Sequence, residues 1–125
     1  MRMWMISPKF LCQKHLLGEH GEIHKHRHNF IKKHSIRGRI SPIVLIEPAS
    51  MLSRHNELAK EMIFRGYNHQ SAYEMPDISY LPELERKAKV VLRISFVELC
   101  KRCPSCQKNI LARINIFDKL LLTSK

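Results

Sequence analysis

The sequence predicts a mostly α-helical fold, a single compact domain over residues 1–125 with three main helices and an N-terminal arm threaded between them. Three observations point there. Apolar residues recur at helical spacing in two long segments. The prolines fall outside both segments, where they punctuate the connections. The 125 residues are one domain's worth of chain, enough to bury a core without staples.

Residues 1–8 form the arm. From Leu11 to His34 the chain is polar, rich in His and Lys, and free of proline. Leu16, Ile23, Phe30 and Ile31, helped by Cys12, lie near one stripe of a single long helix. Gly18 and Gly21 weaken that helix by about 1 kcal/mol each relative to alanine, or else let something bulky approach it closely. Residues 35–50 are a connection broken by Gly38, Pro42 and Pro48, with Ile43-Val44-Leu45-Ile46 as a short buried extended segment. Ser50 caps a second helix in which Met51, His55, Leu58 and Met62 share a face, and Gly66 ends it. Residues 67–82 read as an ordered loop of a length at which function is expected. A third helix starts at Pro82, turns Leu84, Ala88, Val91 and Leu92 inward, and ends near Cys100 to Pro104. Residues 107–122 read as a final short helix.

Lys and Arg number 22 against 11 Asp and Glu, a net charge of +11 with a pI of about 9.9. Such a surface attracts polyanions, and the layout favours nucleic acid over anionic membrane. No apolar run reaches the roughly 18 residues a membrane span needs. The start has too short an apolar stretch before Pro8 to be a signal peptide, so a cytoplasmic location is expected. There, the four cysteines should be thiols or metal ligands rather than disulfides.

Lys25, Arg27, Lys32 and Lys33 stand in a dense basic run with His24, His26, His28 and His34. His20, His24 and His28 share a helical face. The run is a phosphate-binding face, a metal site with i, i+4 histidine ligands, or plain solvated surface. Cys100, Cys103 and Cys106 form C-x2-C-x2-C, half of a zinc knuckle. Zinc needs four ligands, so Cys12 or a histidine would have to complete the set; free thiols are the alternative.

The segment Gln13-Lys14-His15-Leu16-Leu17-Gly18-Glu19-His20-Gly21-Glu22 resembles the first-helix motif of the pyrimidine-dimer DNA glycosylase/abasic-site lyase (phage endonuclease V) family. Glu61 through Arg65-Gly66-Tyr67-Asn68 is similar to that family's second-helix end. Asp77-Ile78-Ser79 and Pro82 follow at family-like spacing, and Met1-Arg2-Met3-Trp4 is similar to the start of short bacterial relatives. The likeness covers roughly residues 1–82 and rests on the order and spacing of the pieces.

The resemblance implies a repair enzyme whose N-terminal amine is the nucleophile, here that of Met1, where the best-known relatives expose a threonine. An α-amine, with a pKa near 7.7–8.0, is far more often neutral at pH 7 than a lysine. Glu22 takes the place of the catalytic carboxylate, and Arg2 and His15 take positions close to DNA. Gly21 stands where the family has an arginine, which leaves Lys25 or Arg27 to replace that clamp. Asn68 and His69 either close the lesion pocket or anchor the loop. The implied partner is double-stranded damaged DNA, bound by a monomer, with no membrane and no cofactor. The rival expectations are a non-catalytic DNA-binding protein and a zinc-stabilised interaction module.

Overall fold

The computed structural model of the chain describes residues 2–69 and 71–112. The fold is mostly helical, and no strand occurs among the described residues. The helices are α1 (Gln13–Ile31), α2 (Met51–Phe64), the single turn α3 (Glu83–Arg86), α4 (Leu92–Arg102) and α5, helical over 104–112. Short 3-10 turns at Pro8–Phe10, Arg37–Arg39 and Pro48–Ser50 link them.

The predicted stripe of α1 is observed except at Ile31. Leu16, Ile23 and Phe30, seven apart, are buried together with Leu11, while Ile31 points outward and is 51% exposed. Lys33 ends the helix in a left-handed conformation (φ 57°), and the His34 N–H returns to the Asn29 carbonyl at 2.9 Å. Gly18 and Gly21 both face open space, so neither marks a close approach.

In α2 the four predicted residues Met51, His55, Leu58 and Met62 are all buried. Gly66 closes the helix at φ 93°, with the Tyr67 N–H bonded to the Met62 carbonyl at 2.9 Å. Ser50 departs from expectation. Its hydroxyl donates to Glu47 Oε1 at 2.8 Å and makes no side-chain cap to α2. Glu47 is buried and must be satisfied, which outranks a cap that water can replace.

The third helix is broken in two. Glu47 Oε2 accepts the Val90 N–H at 2.7 Å, diverting that backbone from a helix and separating α3 from α4. Leu84, Val91 and Leu92 consequently face outward and Ala88 is only half-buried; Val90, Ser95 and Leu99 are the buried positions instead. Of the extended segment, Ile46 is buried and Ile43 is exposed. The expected last helix is present to residue 112, and the rest of it lies outside the described residues.

Met3, Trp4 and Ile6 of the arm are buried in the same core as α1, α2 and α4. Each such side chain contributes about 1.5–3 kcal/mol on leaving water. Polar bonds fix the register: the Met3 N–H donates to the Leu45 carbonyl at 2.7 Å, and Ser95 Oγ donates to the Trp4 carbonyl at 2.6 Å.

Candidate functional site

Helix α1 carries the functional candidates on two flanks of its core stripe. On one flank lie His15, Glu22 and His26, at spacings of seven and four residues; His20 and His24 lie on the other, since two residues turn a helix by about 200°.

Glu22 is half-buried, and its Oε2 is shielded from solvent with no hydrogen-bond partner. Arg2 likewise carries a buried Nε without a partner, and its guanidinium lies 4.4 Å above the Trp4 ring. His26, one turn beyond Glu22, is 1% exposed and neither ring nitrogen is bonded. Buried polar atoms are nearly always paired, so three side chains with orphaned atoms on the arm and one flank of α1 call for an explanation. Met1 lies outside the described residues.

Burial, followed by the positive field of Arg39, pushes the His26 pKa down to about 4. The unfolded side chain titrates near 6.5, so the stability that neutral His26 contributes is complete above that pH and is lost as pH falls toward 4. The window is worth at most about 3 kcal/mol. His26→Leu is therefore expected to flatten the acid limb of the stability profile. Urea midpoints at pH 7 and pH 4.5 check this, and an unchanged difference between the two would refute it.

Beneath this flank a buried ion pair locks α1 to α2. Arg54 and Glu19 are both fully buried, with Nε to Oε2 at 2.5 Å and Nη2 to Oε1 at 2.9 Å. Arg54 Nη1 also donates to the Ile6 carbonyl at 2.6 Å and to Glu57. Burial opposes the guanidinium charge, but the two carboxylates outweigh it and raise the Arg54 pKa. Arg65, in the Arg65-Gly66-Tyr67-Asn68 turn, donates to the carbonyls of Pro8 and Leu11 at 3.0 and 2.7 Å. Two arginines of α2 and its end thus hold the segment from Ile6 to Leu11 that leads the arm into α1.

The opposite flank holds a histidine cluster. His20, His24, His55 and His69 bring ring nitrogens within 4.8 Å of one another. His20 Nε2 meets His69 Nε2 at 2.9 Å, and the His55 ring stacks on Tyr73 at 5.4 Å. Burial, then His55, His24 and His69, lowers the His20 pKa to about 4, so His20 is neutral near pH 7. The predicted shared face of His20, His24 and His28 is therefore split, with only His28 exposed.

A second group unites Cys12, His15, Cys103 and Cys106, again within 4.8 Å. Cys100 is outside it, packed against the core and lining an apolar groove with Phe10 and Phe96. Of the predicted basic residues, Lys25, Lys32 and Lys33 are exposed. Arg27 Nε donates to the Glu74 carbonyl at 2.8 Å, with that carboxylate 3.6 Å away. Asn68 is exposed beside His69. Sequence reasoning missed His26, His55 and the Glu19–Arg54 pair. The repeat of one spacing, Cys12-x2-His15 and Cys103-x2-Cys106, was the available signal for the thiol group.

A family model described as pyrimidine dimer DNA glycosylase matches residues 1–75. That span covers the arm, α1, α2 and the turn after it, and stops before α3. No curated protein and no solved structure matches the chain.

Proposed function

The chain belongs to the pyrimidine dimer DNA glycosylase family, and from that premise we propose that it is a glycosylase with abasic-site lyase activity that uses its N-terminal amine and Glu22. The observation that carries the reading is the buried, unpartnered Oε2 of Glu22, in the middle of the helix that the family match spans. An orphaned carboxylate oxygen is costly for folding and useful for chemistry that supplies its partner, a reacting sugar.

The amine of Met1 attacks C1′ of the damaged nucleotide, and the glycosidic bond breaks with its electron pair leaving on the base. Glu22 stabilises the positive charge that develops on the sugar. The sugar ring opens to a Schiff base between C1′ and the amine. Removal of a C2′ proton, with Glu22 as base, then expels the 3′ phosphate, and water releases the amine. Stacked bases are out of reach, so the duplex must kink and extrude a nucleotide.

Arg2 and His15 lie beside the reacting strand, and Lys25, Arg27, Lys32 and Lys33 contact phosphates, while Asn68 and His69, with His69 bonded to His20 on the flank away from Glu22, anchor the loop. The protein acts as one domain and as a monomer, on double-stranded damaged DNA in the cytoplasm. No helix among the described residues is long and apolar enough to cross a membrane.

Borohydride reduction on an abasic duplex tests the chemistry. The intact protein is expected to become covalently linked to the DNA, and the same protein with its N-terminal amine blocked is expected not to. A folded, unblocked protein that binds the duplex but gives no cross-link would instead be a non-catalytic DNA-binding protein.

A further inference from the structure

We propose that Cys12, His15, Cys103 and Cys106 bind one zinc ion that fastens α5 to the start of α1. Cys12 Sγ lies 3.2 Å from His15 Nδ1 and 3.7 Å from Cys103 Sγ, and Cys106 Sγ lies 3.5 Å from His15 Nδ1. Zinc binds thiolate at about 2.3 Å and imidazole at about 2.0–2.1 Å, which on a tetrahedron separates two sulfurs by about 3.8 Å and a sulfur from a nitrogen by about 3.5 Å. These three separations sit within a few tenths of an ångström of that geometry, and all four ligand atoms lie within 4.8 Å of one another.

The backbone supports the same reading. Cys12 is the residue before α1, and Cys103 is the residue before α5. Each pair thus occupies the cap and third positions of a helix, so two helix N-termini converge on the four ligand atoms. Their positive ends favour thiolates. The Cys106 N–H donates to Cys103 Sγ at 3.3 Å, and the Cys12 N–H donates to Cys106 Sγ at 3.2 Å. Burial pushes the Cys106 thiol up to about 12, an obstacle that a divalent cation removes. Three thiolates and one imidazole form a soft, complete set, the mark of structural zinc rather than of a catalytic site with an open position.

The ion would join parts of the chain that the family match separates, since Cys12 and His15 lie inside residues 1–75 and Cys103 and Cys106 beyond them. Asn109 Nδ2 donates to the Phe10 carbonyl at 3.2 Å across the same junction. His15 also meets Trp4 edge-on, with ring centroids 5.8 Å apart, so the ion would stiffen the arm beside Arg2.

The test uses the whole chain, purified without chelator under reducing conditions. About one zinc per chain is expected. Exchange with cobalt should give thiolate-to-cobalt charge-transfer absorption that persists in Cys100→Ser and is weaker in Cys106→Ser, which has one thiolate fewer. Because Cys106→Ser can fail to fold, the spectrum of the unaltered chain decides by itself. No charge-transfer band on cobalt titration overturns the proposal, as does metal bound without that band, which would put it on histidines alone. A band that vanishes in Cys100→Ser would also overturn the ligand assignment.

Discussion

Glutamine in place of Glu22 is expected to slow strand cleavage of an abasic duplex by about 10²–10⁴-fold, the usual contribution of a positioned acid–base group. Affinity for the duplex should survive. Glutamine keeps the shape of the side chain and removes only its charge and basicity. The Oε2 atom has no protein partner, so the change takes an acceptor from no protein donor. Single-turnover cleavage with enzyme in excess measures the rate, and fluorescence anisotropy of a labelled duplex measures binding. Near-normal cleavage would move the catalytic carboxylate elsewhere. Loss of binding together with a lowered melting point would make Glu22 a structural residue.

Arg54→Met should have the largest effect on folding. It leaves the Glu19 carboxylate fully buried without its cation, a change that costs about 3–5 kcal/mol. That is a large share of the roughly 5–15 kcal/mol that holds a domain together. It also frees the Ile6 carbonyl, so the arm loses an anchor. Adding Glu19→Met should return much of the loss, because two well-packed apolar residues replace a buried pair at little cost. Urea unfolding of both variants measures the coupling. A loss below about 1 kcal/mol for the single variant would place the pair with ordinary surface salt bridges.

The parts of this fold that were legible in the sequence are those fixed by near neighbours. The stripes Leu16, Ile23, Phe30 and Met51, His55, Leu58, Met62 announce helices because helical periodicity is local. Gly66 announces a stop because its left-handed conformation is a single-residue matter. The third helix failed for a non-local reason, a carboxylate at Glu47 that takes the N–H of Val90. Nothing near residue 90 signals it. Glu19 and Arg54 carry no local sign of their pairing, which exists only once tertiary packing closes over both. His26 looked like one more member of a basic run, yet it is the histidine of that run turned into the core. The resemblance picked out Glu22 and His15 by position. It was blind to the thiols around His15, because Cys103 and Cys106 come from a segment the motif does not reach.

Trp4 carries the chain's single indole, and it sits in the arm, with Arg2 over its face, His15 at its edge and Ser95 on its carbonyl. Tryptophan emission from this protein is therefore a signal from one place, within three residues of the proposed nucleophile. Far-ultraviolet dichroism, by contrast, reports the helices. The two signals are separable without any label, so stopped-flow mixing with damaged duplex can time the arm's movements against helix formation, substrate capture and strand scission in the unaltered protein.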